Sequence, residues 1–296
     1  MNNPYDSLRK QLKERFEYWQ SDIEDDDVLD FSAYDLKEAI EKREHFYLYQ
    51  YRRPDYYSIR NLETQKIHLS SNGSLNDIYE GLPSGSSKDY EKENVLKLYD
   101  LALVSCFTET HNNQLMWSHY ADSHKGFCVQ YDLKLLQDEP FQILKHTFPV
   151  MYSRARKIFK NLEKLKDQLQ ELREAIEKDC IVDDLTDFDN VLPIFINKSL
   201  DWEYESEWRI VYTKKHIYDF YDILQSDEYS LLKLGNIPFS CISGVYIGVR
   251  TEKEIKDNII EICDRLSKKM NKRIPVYVAR LSNDSYDILF DEIKYN

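Results

Sequence analysis

The chain has 296 residues, 42% of them hydrophobic and 31% charged, a balance that suits a soluble globular protein of one large domain or two modest ones. Its formal net charge of -13 argues against a broad nucleic-acid surface. No stretch approaches the roughly 20 apolar residues of a membrane span, and no basic start leads into an apolar run, so a cytoplasmic protein with no membrane contact is expected.

In chain order, Asn3-Pro4 reads as the cap and first turn of a helix over 4–20. A second helix is predicted over about 33–44. Phe46 to Tyr51 reads as a strand, and a short helical link over 59–64 leads to a strand over 66–71, closed by the turn signal Asn72-Gly73. Residues 81–93 read as a flexible loop. A buried strand is expected at 101–107, and a helix over 115–125 that Gly126 would end as a left-handed cap. An alternating strand follows at 127–131. Between Arg154 and Cys180, apolar residues recur at 4-3-4-3-4 spacing with charged residues between, a coiled-coil-type stripe suited to docking on its own domain, to a partner protein's helix or to a homodimer. The chain closes with a β-α-β unit: strand 242–249, a helix over about 251–269 opened by a Thr251/Glu254 capping box, and strand 274–281. Helices and strands mix without strict alternation. The expected fold class is therefore α+β, with a mixed or antiparallel sheet, an N-terminal helical segment at 1–45, and a domain at 46–296 carrying a helical insertion at 154–181.

Five cysteines stand far apart without a C-x-x-C pair, so neither a disulfide framework nor a zinc site is suggested, and no metal is expected. Cys106, Cys128, Cys241 and Cys263 read as small buried hydrophobes. His119 and His124 are five apart, about 140° around a helix, so they do not share one face as zinc ligands would. With 23 tyrosines against 7 glycines, the ring area suits half-buried strands and a groove for planar ligands. No phosphate-loop, dinucleotide-fold, esterase or zinc-protease signature is present.

The segment from Trp202 to Tyr212 carries the chemistry. Read as a strand, it puts Trp202, Tyr204, Ser206, Trp208, Ile210 and Tyr212 on one face, and Glu203, Glu205, Glu207, Arg209 and Val211 on the other. Carboxylates about 7 Å apart repel, and partial burial raises at least one pKa. Arg52, at the end of its strand, suits phosphate capture. Lys198 is a further cation just before the glutamates.

Three blocks resemble a bacterial family known as domain of unknown function 2971: Tyr49-x-Tyr-Arg with His68-Leu-Ser-Ser and Asn76-Asp77; Cys106-Phe-Thr-Glu with Met116-Trp-Ser-His-Tyr-Ala and His124-Lys-Gly-Phe; and Lys198-Ser, Trp202 and Glu205-x-Glu-Trp-Arg209. Val245-Tyr-Ile-Gly248 also fits, so the resemblance runs from about residue 46 to 249. A more distant likeness is to mono-ADP-ribosyltransferases, with Arg52, then Ser70 or Ser71, then Glu205-x-Glu207 in the family's order, and Leu-Ser-Ser standing in place of Ser-Thr-Ser. That likeness implies NAD as substrate, with Arg52 on its pyrophosphate and Trp117 or Tyr120, beside His119, stacking on nicotinamide. Glu207 would sit at the ribose 2′-hydroxyl and Glu205 would act on the acceptor. It implies ADP-ribosyl transfer or NAD hydrolysis by a toxin or antiphage effector. The alternatives are a non-catalytic nucleotide- or protein-binding module, and a metal-dependent nuclease or hydrolase using Glu205, Glu207 and Asp77 or His119.

Overall fold

The computed structural model describes residues 4–21, 36–71, 76, 77, 79, 102–137, 140–154, 192–213, 224–233 and 235–294. The heptad stripe, the Asn72-Gly73 turn and the loop at 81–93 lie outside these residues. The α+β class holds, with helices around a mixed, mostly antiparallel sheet.

Helix α1 (Pro4–Ser21) begins at a proline, whose ring is already set for a first helical turn. Its Leu8 and Leu12, one turn apart, are 2% and 0% exposed and dock on the core. Helix α2 (Leu36–Glu41) ends three residues before the expected end at about 44. Strand β1 (Tyr47–Arg52) leads to α3 (Tyr56–Thr64), capped by the Asp55 carboxylate accepting from Ser58 N at 2.8 Å and closed by Gln65 in the left-handed region at φ 52°. The single strand expected over 66–71 is two: β2 (Lys66–His68) and β3 (Ser70–Ser71). They serve different sheets, since β2 pairs with β10 (Asn236–Pro238) and β3 pairs with β4 (Ala102–Thr108).

Helix α4 (Gln114–Tyr120) is capped by Asn113, whose Oδ1 accepts from Leu115 N and Met116 N. It stops five residues before the expected end. Asp122, Ser123 and His124 take the positive φ values there, and Gly126 does not act as a left-handed cap. Glycine is needed at 126 for room, because a Cβ would stand 2.0 Å from the Arg52 carbonyl oxygen. Strand β5 (Phe127–Asp132) follows. Further on come β6 (Thr147–Pro149), β7 (Met151–Ser153), α5 (Leu192–Phe195) and β8 (Asn197–Ser199), then β9 (Glu207–Thr213) and α6 (Ser226–Lys233). The closing unit is β11 (Ile242–Ile247), α7 (Lys253–Met270), β12 (Val276–Leu281) and β13 (Ile288–Ile293), the last not anticipated. Thr251 is no capping residue. Its hydroxyl donates to the Gly126 carbonyl at 2.9 Å, and Glu252 stands at the cap position.

The main sheet runs β13-β12-β11-β5-β1-β4-β9-β6, with β3 beside β4. Its pairs are antiparallel except β11 with β12, which α7 connects as a crossover must. Ile259, Ile262, Cys263 and Leu266 of α7, at three- and four-residue spacing, are all buried against the main core. Three of the cysteines read as buried hydrophobes, Cys128, Cys241 and Cys263, are buried free thiols, and Cys106 is partly buried. No described helix is long and apolar enough to cross a membrane.

Registers decide which side chains share a face. Tyr49 pairs with Thr108, and Thr108 pairs with Glu207, so these three form one row on one face. Arg52 is three positions from Tyr49 and therefore points to the opposite face.

Candidate functional site

The segment expected as one strand from Trp202 is broken. Leu200–Glu205 is a 3-10 helix capped by Ser199, and Ser206 takes a left-handed conformation at φ 44° before β9 begins at Glu207. Only the residues from Glu207 onward alternate as expected, with Trp208, Ile210 and Tyr212 against the main core. Trp202 and Tyr204 remain partly exposed on the 3-10 turn, their rings 6.1 Å apart.

This break brings Glu205 and Glu207 to one lysine. Lys198 Nζ donates to Glu205 Oε2 at 2.6 Å and to Glu207 Oε2 at 3.1 Å. The parallel pair of β7 with β8 sets Lys198 opposite Tyr152, whose hydroxyl accepts the Glu207 backbone N–H at 2.7 Å. The Lys198 ammonium also lies 4.7 Å from the Trp202 ring centre. Arg209, wholly buried, forks onto Glu207 with Nε at 2.7 Å and Nη2 at 2.9 Å, and its Nη1 donates to the Phe195 carbonyl at 2.6 Å. Two carboxylates and two cations thus neutralise each other away from water, as buried charge requires.

The two glutamates differ in environment. Burial raises Glu207, but Arg209 and Lys198 outweigh it and bring the carboxyl down to about 2. Burial raises Glu205, the Glu207 charge adds to that, and Lys198 only partly opposes it, so its carboxyl ends above the ordinary range. Glu205, itself buried, bonds the partly exposed Tyr120: its Oε1 accepts the Tyr120 hydroxyl at 2.5 Å, and that hydroxyl accepts from Asn76 Nδ2 at 3.2 Å. Burial and the neighbouring Glu205 push the Tyr120 phenol up, so it stays a donor. His119, exposed, lies 6.3 Å from the Tyr120 ring and 6.4 Å from the Tyr204 ring, so three rings cluster beside Glu205.

Beneath the pair, Arg9 of α1 binds Glu109 Oε1 at 2.6 Å and the Val150 carbonyl at 2.5 Å, and reaches the Glu207 carbonyl at 3.3 Å. Glu109 also accepts Trp208 Nε1 at 2.9 Å. The N-terminal helix is therefore bolted to the strand that carries Glu207.

Of the residues singled out in the sequence, the fold gathers Glu205, Glu207, Tyr120 and, at the rim, His119. Trp117 is fully buried, with Nε1 on the His111 carbonyl at 2.8 Å and its ring edge-on to Tyr51 at 5.1 Å, so it offers no stacking surface to a ligand. Arg52 bonds the Gln50 side chain and the Tyr131 phenol on the far face. Ser70 and Ser71 pair with Val104 and Leu103, and Val104 is four residues along β4 from the Glu207 row, about 13 Å away. Among the described residues no three His, Cys, Asp or Glu side chains converge as metal ligands would, and Lys198 occupies the place between the glutamates. Lys198 and Asn76 stand in the blocks quoted from the sequence but carried no role there, and Tyr152 and Arg9 were not singled out. Nothing in the local pattern marks Tyr152 and Arg9, because their partners lie 55 to 198 residues away.

A family model described as Protein of unknown function (DUF2971) matches residues 116–210. That span holds Tyr120, Lys198, Glu205, Glu207 and Arg209, so the resemblance holds over most of the site. No curated protein and no solved structure matches the chain.

Proposed function

We propose that the chain is an enzyme that cleaves or transfers across the N-glycosidic bond of an NAD-type nucleotide, with Glu205 as the working carboxylate. The observation that carries this reading is the divided pair. Glu207 is pinned in its charged form by Arg209 and Lys198, while Glu205 is raised and bonded to the partly exposed Tyr120. Carboxylates driven apart in pKa by their surroundings mark acid–base roles.

In the proposed step the bond from ribose C1′ to the nicotinamide nitrogen breaks, and nicotinamide leaves with the electron pair. Water or an acceptor hydroxyl adds to C1′ and passes its proton to Glu205, which returns it to solvent. The rings of Tyr120, Tyr204 and His119 offer faces for a planar base. Arg52 has no part in this scheme. Consumption of NAD in the cytoplasm would suit a toxin or antiphage effector, a step taken by analogy of chemistry.

A second reading, a non-catalytic nucleotide- or protein-binding module, is favoured by the bonding of Glu207, whose two oxygens are taken up by Arg209 and Lys198 as in a structural anchor. Nicotinamide release from NAD separates the two. Wild type should release it, Glu205→Gln should be slower by about 100-fold or more, and Tyr120→Phe should lose less while shifting the acid limb of the pH profile. Binding of NAD without release by wild type would establish the module instead.

A further inference from the structure

The Tyr120–Glu205 hydrogen bond joins two separate parts of the chain, the last residue of α4 and the end of the 3-10 turn ahead of β9. The segment from Thr108 to Asn113 touches both. The Thr108 hydroxyl donates to the Glu205 carbonyl at 2.6 Å, and the Glu109 N–H donates to the Ser206 carbonyl at 3.3 Å. Asn113 divides one amide between two tasks. Its Oδ1 accepts the Leu115 and Met116 N–H groups at 2.9 and 3.2 Å, which starts α4, while its Nδ2 donates to the Tyr204 carbonyl at 2.8 Å. Two backbone donors on Oδ1 fix which way the amide lies. The Asn113 N–H rests on the Tyr51 hydroxyl at 3.3 Å, and that hydroxyl donates to the Thr110 carbonyl at 3.2 Å, so the segment is tied to β1 as well.

The carbonyl that Asn113 holds belongs to the peptide bond leading into Glu205, and the one that Thr108 holds follows it. The Glu205 Cα is therefore fixed from both sides. Tyr120 closes a helix of seven residues, on the order of 10 Å long, that starts from the same Asn113. We propose that Asn113 is a positioning residue of this site, one side chain that aligns both partners of the Tyr120–Glu205 hydrogen bond. Its effect on turnover rests on the reading of Glu205 as the working carboxylate, whereas its effect on the hydrogen bond does not.

Asn113→Ser separates alignment from support, because serine caps a helix about as well as asparagine but carries no amide donor for the Tyr204 carbonyl. The Tyr120 hydroxyl favours the charged form of Glu205, so losing it moves the carboxyl titration upward. Carbon NMR of that carboxyl is the measurement, in wild type, Asn113→Ser, Tyr120→Phe and the double variant without ligand. Glu205→Gln assigns the signal, and thermal unfolding is followed alongside. Asn113→Ser should raise the midpoint by about 0.5–1 in pH, as Tyr120→Phe does, and unfold within a few degrees of wild type. The double variant should go no further than either, since both changes remove one interaction. Nicotinamide release should follow the same pattern, with Asn113→Ser as slow as Tyr120→Phe and the double variant no slower.

A wild-type midpoint in Asn113→Ser, or a shift that adds in full to that of Tyr120→Phe, would overturn the proposal and leave Asn113 a support of the fold. Asn113→Asp is the second variant should the serine protein be too unstable to titrate. It keeps the cap, and its own charge acts on Glu205 with or without the Tyr120 hydroxyl and so cancels in the cycle. Absence of nicotinamide release by wild type removes the nucleotide reading alone, because the titration is read on the free protein.

Discussion

Two regions on one face of the main sheet bury titratable groups in opposite ways. Around His111 the neighbours are rings: Tyr246 stacked at 4.0 Å, with Tyr49 at 5.2 Å and Phe290 at 5.1 Å. Burial there lowers the imidazole to about 4, so it stays neutral at pH 7. Around Glu205 and Glu207 the neighbours are Lys198 and Arg209, and the buried charge is kept and balanced. A neutral ring among rings can be exchanged for another of like shape. A charged cluster depends on every member, because removing one leaves its partner uncompensated.

The largest expected effect tests that dependence. Arg209→Ala strips Glu207 of its fork and leaves the Phe195 carbonyl unpaired, and should destabilise by about 5 kcal/mol or prevent folding. Urea unfolding measures it, and a loss under about 1 kcal/mol would mean that the cluster is far better solvated than its burial implies. Trp117→Ala, on the aromatic side, should lose about 4 kcal/mol through the cavity it opens. A stable but inactive Trp117→Ala would instead put that ring in the site.

The smallest effect separates the regions by pH. His111 titrates at about 4 when folded against an ordinary 6.5, so the unfolded chain takes up the proton first. Its contribution is complete above about 6.5 and is lost as pH falls toward 4. Glu207, lowered from 4.5 to about 2, loses its contribution only below 4.5. Glu205 and Glu109, both raised, act in the reverse sense, favouring the fold more as pH falls. The His111 share is therefore the difference between wild type and His111→Phe, on the order of 1–2 kcal/mol across pH 6.5 to 4 given the partial exposure of the ring. Parallel stability curves for the two proteins across that window would show that His111 is already protonated or well hydrated.

Much of the fold was legible because its signals are local. The strands at 47–52, 102–108 and 127–132 and the closing β-α-β unit follow from apolar alternation and a 3.6-residue stripe. The misreadings arose where backbone conformation departs from the pattern without glycine to announce it. Ser206 at φ 44°, and Asp122, Ser123 and His124 likewise positive, broke a strand and shortened a helix that side-chain chemistry alone made continuous.

The amino-acid sequence by itself determined which groups carry charge and aromatic surface: the paired glutamates, Tyr120 among them by motif, and the hydrophobic periods that build sheet and helices. Only the tertiary structure decided how those groups divide their work. The turn at Ser206 sets both glutamates on Lys198, the register of β1, β4 and β9 sends Arg52 to the opposite face, and α1 delivers Arg9 beneath Glu207. Side-chain period is a local property of the chain, whereas strand register and long-range pairing are settled by the packing of the whole core.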